Sequence, residues 1–211
     1  MTDGSKPEAS FMRRHWTDTL FAAAALFVSA VSLWVGIRTE DANEKLVAAS
    51  TWPFVQVQVS NADTDAKLDL QFSVVNTGVG PAKVESFEVF WKGKPYRSAQ
   101  ELMSECCGYK PVKGTSAEAK NVTPLSTGTV QGIVLRPGET ELFIHYPLHD
   151  DNQAVWTALN KVGGQLSYRI CYCSVLDDCW LSQQVSQLYV RGQLHPAQVK
   201  TCPVPKVPYT L

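Results

Sequence analysis

Residues Thr19 to Ile37, TLFAAAALFVSAVSLWVGI, carry no charge, and apart from the indole of Trp34 their polar side-chain atoms are hydroxyls. Nineteen residues in a helix rise about 28 Å, close to the ~30 Å hydrocarbon core of a bilayer. A helix packed on a soluble core keeps one polar face, and this stretch has none. It therefore reads as a membrane-spanning helix over 19–37. A cleaved secretory signal peptide is the alternative. No small-x-small cleavage site closely follows Ile37, and Ala48-Ala49-Ser50 lies too far from the apolar run, so an uncleaved anchor is expected.

The flanks set the expected orientation. Lys6, Arg13 and Arg14 precede the span, whereas Arg38 and Lys45 follow it among Glu40, Asp41 and Glu44. Acidic residues count little in the positive-inside rule, so the bias favours a cytoplasmic N-terminus. Arg13-Arg14 has the dipeptide of a twin-arginine signal, but its neighbours Phe11-Met12 and His15-Trp16 do not fit that pattern. All six cysteines (Cys106, Cys107, Cys171, Cys173, Cys179 and Cys202) lie beyond the span. An even number on one side of a membrane points to disulfides in an oxidising compartment. With a net charge of −1, the chain lacks the basic character of a nucleic-acid binder.

The remaining chain is long enough for one domain with its own core. Residues 1–18 are expected to be a cytoplasmic segment whose first ten residues are polar. Residues 38–53 form a helical stalk, ended by Trp52-Pro53, because a residue before proline leaves the α region. From Phe54 the apolar period changes to two. Val55, Val57 and Val59 alternate with glutamines, and Leu68, Leu70, Phe72 and Val74 alternate with polar residues. Further strands are expected over Lys83 to Trp91, Thr129 to Leu135, Glu141 to Tyr146, Gln165 to Val175 and Cys179 to Arg191. Ser98-Ala99-Gln100-Glu101 has capping-box spacing for a short helix ending before Gly108. A second helix is expected over Gln153 to Lys161, capped by Asp150 or Asp151 and stopped by Gly163-Gly164. Tyr109 to Thr127 reads as a polar loop, within which Asn121-Val122-Thr123 matches a glycosylation acceptor only a eukaryotic secretory route would use. Seven or so short strands with frequent turns predict a mainly β fold, a β-sandwich over 54–191 with two inserted helices. Residues 192–211, rich in proline, read as a tail that is extended or disordered unless Cys202 ties it down.

Two turn motifs carry a resemblance. Leu70-Gln71-Phe72-Ser73-Val74-Val75-Asn76-Thr77-Gly78-Val79-Gly80-Pro81-Ala82 and Leu135-Arg136-Pro137-Gly138-Glu139 resemble the strand-ending Asn-x-Gly and the later Leu-x-Pro-Gly-Glu of immunoglobulin-like bacterial surface domains. The first also resembles uncharacterised bacterial single-pass membrane proteins with Asn-x-Gly-x-Gly-Pro-Ala just outside an N-terminal anchor. The resemblance implies an immunoglobulin-like domain on the periplasmic side of a bacterial inner membrane. It implies no activity, since both motifs are turn chemistry, and it does not extend to the cysteine-rich final hairpin.

The cysteines offer the main chemistry. Cys171 and Cys173 share one strand face, and Cys179 lies across the turn. Adjacent cysteines rarely bond to each other, so the preferred expectation joins the Cys106-Cys107 region to the final hairpin, with Cys202 a further candidate. Six cysteines allow 15 connectivities, and spacing does not choose among them. A tetrahedral zinc set of Cys171, Cys173 and Cys179 with Cys106 or Cys107 is a competing reading, though Cys-x-Cys-x₅-Cys is unlike common zinc modules. A thiol-exchange site is another, without a Cys-x-x-Cys at a helix start. His145 and His149, with Asp150 and Asp151, are a weaker metal candidate because Pro147 lies between the histidines. Asp177-Asp178 reads as a hairpin turn, and Phe87, Phe90, Trp91, Trp156 and Trp180 as core. No nucleophile elbow, phosphate loop or His-Glu-x-x-His occurs, so no catalytic or cofactor-binding residue is assigned. The expected role is an anchored binding or structural module, with membrane lipid around 19–37 and a protein or envelope component as partner. The alternatives are a cytoplasm-facing sensor or effector with a cysteine cluster, and a thiol-redox protein.

Overall fold

The computed structural model describes residues 8–111, 125–185 and 196–210, in two compact units, Met1–Ala49 and Ser50–Leu211. The first consists of one helix, α1, which runs from Glu8 to Ser50. Its stretch Asp18–Ser50 is long and apolar enough to cross a membrane, with a mean hydropathy of 2.2 in its best window and no burial. Hydroxyls within it donate back to the helix, Ser29 Oγ to Ala25 O and Thr39 Oγ1 to Val35 O. That removes the unsatisfied donors a lipid environment penalises. The expected span and the helical part of the stalk are thus one uninterrupted helix, which stops just before Trp52-Pro53. From Ile37 to Ser50 it rises a further ~20 Å.

The second unit is mainly β, with all of its strand pairs antiparallel among the described residues. One sheet has the order β1-β2-β6, from Val55–Ala62, Leu68–Asn76 and Thr140–Pro147. The other has the order β4-β3-β7-β8-β9, from Lys94–Tyr96, Ala82–Trp91, Leu166–Cys173, Cys179–Val185 and Ala197–Val199; β5 (Val134–Leu135) pairs with the start of β3. The period-two alternation sends Val55, Leu70, Phe72 and Val74 from the first sheet, and Leu166, Tyr168, Ile170 and Tyr172 from the second, into one core. A bulge between Val84 and Ser86 changes the parity of β3, so Val84, Phe87 and Val89 all face inward. Rings of the two sheets meet at Phe87 and Phe143, 4.9 Å apart edge to face. Of the expected core aromatics, Phe87 and Trp156 are buried, while Phe90, Trp91 and Trp180 are half-buried.

Two side-chain amides join the sheets. Gln184 on β8 donates to Val55 O at 3.2 Å and accepts from Val57 N at 2.7 Å, acting as a substitute strand at the β1 edge. Asn76 is fully buried at the end of β2. Its amide donates to Gly80 O and Leu135 O, and its carbonyl accepts from Phe54 N and Gly78 N. Backbone bonds from Gly138 N to Asn76 O and from Asn76 N to Glu139 O complete the knot. The two motifs separated by about sixty residues of sequence are therefore hydrogen-bonded to each other. Gly78 and Gly80 lie against the backbone of residues 51–54, where a Cβ would come within 2.3 Å of Phe54 N and 2.0 Å of Thr51 O. The motif thus clasps the segment that enters the domain.

Helix α2 (Ala99–Cys107) is capped as expected: Ser98 accepts from Glu101 N, and left-handed Gly108 ends it. The carboxylate of Glu101 takes Arg97 N, one residue before the usual capping-box donor. The β3–β4 turn uses Lys92 and Gly93, both at positive φ, the conformation a two-residue hairpin demands.

Two expectations differ from the structure, the Thr129–Leu135 strand and the cap of the second helix. Thr129 to Leu135 is not a full strand. Gly132 turns the chain at φ 82°, and only Val134–Leu135 pairs. The segment after it joins β5 to β6 across the two sheets: β5 pairs with β3 and β6 with β2, because Asn76 holds Leu135 and Gly138 between the sheets. Helix α3 (Gln153–Gly163) begins at Asn152, not at Asp150 or Asp151. Asn152 instead fastens the approach, donating to Pro147 O and accepting from His149 N. The condition set for the proline-rich tail is met: Cys202 ties it down by bonding to Cys171, β9 pairs with β8, and Tyr209 is buried beside Phe87 and Phe143. The end of the last expected strand, 186–191, and most of the Tyr109–Thr127 loop, with Asn121, lie outside the described residues.

Burial raises three core phenols: Tyr172 to about 12, and Tyr168 and Tyr209 further. Above about pH 10 an unfolded tyrosine loses its proton while these keep theirs, so the folded chain binds more protons. Stability is then full below about pH 10 and falls as pH rises beyond it. Three phenols give a slope of up to about 4 kcal/mol per pH unit. A jump from about pH 9 to about pH 11.5 should show tyrosinate absorbance rising together with loss of the far-ultraviolet sheet signal. Full ionisation of all tyrosines with the sheet intact would contradict this.

Candidate functional site

The chemistry-bearing groups concentrate at the end of the β7–β8 hairpin. On β7 the core-facing positions are Leu166, Tyr168, Ile170 and Tyr172, which leaves Cys171 and Cys173 on the opposite face. Cys173 is the cross-strand partner of Cys179, the first residue of β8, and the two form a disulfide. The turn between them is tight, with Asp177 at φ 61° and Ser174 N donating to Asp178 O. This confirms Asp177-Asp178 as turn residues. Cys171 bonds to Cys202, three residues beyond β9. Cys202 therefore covers the outer face of β7, and seven residues later Tyr209 N donates to Phe87 O on β3. The tail straps the outer face and plugs its end into the core. On β3, Ser86 and Glu88, the register partners of Cys171 and Arg169, are both buried, and Glu88 pairs with Arg169.

The two disulfides form one cluster. Cys173 Sγ lies 3.8 Å from Cys202 Sγ, and the sulfurs of Cys173, Cys179 and Cys202 are all within 4.8 Å of one another. Cys171, Cys173 and Cys179 are buried, whereas Cys202 is half-exposed. Cys106 and Cys107 are bonded to each other at the end of α2. The expected bridge from this region to the final hairpin is thus not made, and Cys202 takes the fourth place that the zinc reading gave to Cys106 or Cys107. Spacing alone did not reveal this, because Cys202 reaches the cluster only through the path of the tail.

The histidines do not come together as a metal pair. His145, on β6, has its Nε2 2.9 Å from Asp69 Oδ2 on β2, and Gln71 Nε2 donates to the same oxygen. His149 is exposed beyond the strand. Asp69 is 6 % exposed, and its Oδ1 has no hydrogen-bond partner among the described residues. Sequence reasoning placed Asp69 on a solvent face and missed it. Pairing the strands in register is what sets it diagonally beside His145, opposite Gln71.

The chain matches no protein-family model and no curated protein.

Proposed function

We propose that the chain is a single-pass protein of the bacterial inner membrane, with its N-terminus in the cytoplasm and an immunoglobulin-like domain in the periplasm, serving as a binding or structural module without catalysis. The observation that carries this reading is that all six cysteines are paired, and all lie beyond the uncharged stretch 19–37 of α1. Such pairing is stable in an oxidising compartment and rare in a reducing one. The strand order supports the fold reading. β1-β2-β6 and β3-β7-β8 correspond to the A-B-E and C-F-G sets of an immunoglobulin-type sandwich. The two turn motifs, resembling those of bacterial anchored proteins, interlock through Asn76 at the chain's entrance to the domain. The partner is a protein or an envelope component.

A phosphatase and a fluorescent protein, each fused after Leu211, test the orientation. An active phosphatase and a dark fluorescent fusion are expected. The reverse result would overturn the reading and favour a cytoplasm-facing sensor or effector, for which three clustered sulfurs are the supporting feature. Crosslinking in membranes followed by pull-down tests the partner, and recovery of the lone chain would count against a binding role.

A further inference from the structure

We infer that the four-sulfur cluster is a thiol–disulfide exchange site that accepts two electrons from a dithiol and passes them from the Cys171–Cys202 bond to the Cys173–Cys179 bond. This goes beyond the anchored-module reading and rests on it only for the oxidised starting state.

Three observations carry it. Cys202 is the least buried of the four, so an external thiolate meets its sulfur first. Its sulfur is 3.8 Å from Cys173, near van der Waals contact, so attack between them is intramolecular once the freed Cys202 swings into line with the Cys173–Cys179 bond. The sulfur that would leave, Cys179, lies 3.4 Å from Asp177 O, an acceptor for the thiol proton.

The exchange has three steps. A thiolate of the dithiol attacks Cys202 Sγ; the Cys171–Cys202 bond breaks, and Cys171 leaves and takes a proton. The second thiol of the donor attacks its own mixed-disulfide sulfur, closing the donor disulfide and releasing Cys202 as thiolate. That thiolate attacks Cys173 Sγ; the Cys173–Cys202 bond forms, the Cys173–Cys179 bond breaks, and Cys179 leaves and takes the second proton. The donor is oxidised by two electrons, and the protein has exchanged two disulfides for one disulfide and two thiols. The tail, released from β7 in the first step, is tethered to it again at the end, now through Cys173.

The test uses the full chain in detergent carrying Cys106→Ser and Cys107→Ser, so that the third disulfide takes no electrons. It is treated with one equivalent of dithiothreitol, quenched in acid, alkylated and mapped. Trypsin with cleavage at Asp177 separates Cys179 from Cys173, and fragmentation across Tyr172 separates Cys171 from Cys173. The expected product has alkyl groups on Cys171 and Cys179 and an intact Cys173–Cys202 pair. In a further Cys173→Ser/Cys179→Ser variant the alkyl groups should move to Cys171 and Cys202. Absence of the Cys173–Cys202 pair, with each native disulfide opening alone, would overturn the inference. Because the assay is done on purified protein, its failure is distinct from a failed topology fusion.

Discussion

Asn76→Ala is expected to remove about 4 kcal/mol or more from the stability of the β unit. The side chain is fully buried and makes four hydrogen bonds, to Phe54, Gly78, Gly80 and Leu135. Alanine leaves two carbonyls and two N–H groups without their partner, and each such buried group costs about 1–3 kcal/mol, less where water enters. Whole domains are stable by only about 5–15 kcal/mol, so partial unfolding at ambient temperature is a realistic outcome. Asn76→Asp should be no better, since a carboxylate would face the oxygens of Gly80 and Leu135. Thr77→Ala, which removes one exposed hydroxyl contact to Phe54 O, is the control, with a loss under about 1 kcal/mol. Chemical denaturation of the full chain in detergent measures all three. If Asn76→Ala unfolds at the same denaturant concentration as the unaltered protein, the two motifs do not lock the sheets together.

Tyr209→Ala should cost about 3–5 kcal/mol, comparable with other large-to-small changes of buried aromatics. The residue lies ten positions beyond β9, in the proline-rich stretch. Here it is 2 % exposed and packs edge to face on Phe87 at 5.6 Å and Phe143 at 5.8 Å. The Cys171–Cys202 bond holds the tail close, so part of the ordering entropy is already removed. The prolines at 203, 205 and 208 restrict the intervening chain further. Val204→Ala, at a side chain 91 % exposed, should change stability by less than about 0.5 kcal/mol. Thermal unfolding of the two variants side by side gives the comparison. Equal melting temperatures would mean that the tail does not plug the core.

How far the chain could be read without coordinates follows from the range of each interaction. The uncharged run at 19–37, the Ser98 cap and the inward faces of β1 and β2 depend on neighbours a few residues apart. Periodicity and turn chemistry encode such neighbours directly. The strand expected at Thr129 to Leu135 failed because its apolar residues look continuous, while Gly132 and the bulge at Val84 to Ser86 exchange hydrogen bonds that no local pattern records. The cysteine pairing failed for the same reason. Cys106-Cys107 and Cys202 are placed by where α2 ends and how the tail runs.

By itself, then, the sequence determined a lipid-length helix, a β-rich remainder, and the turns and helix ends that punctuate it. Only the tertiary structure decided that Asn76 ties two distant motifs together, that Cys202 joins the β7 sulfurs, and that Tyr209 closes the core. Each of these contacts joins residues tens of positions apart. Whether such residues meet is decided by how sheets pack over one shared core, and local residue order carries little of that information.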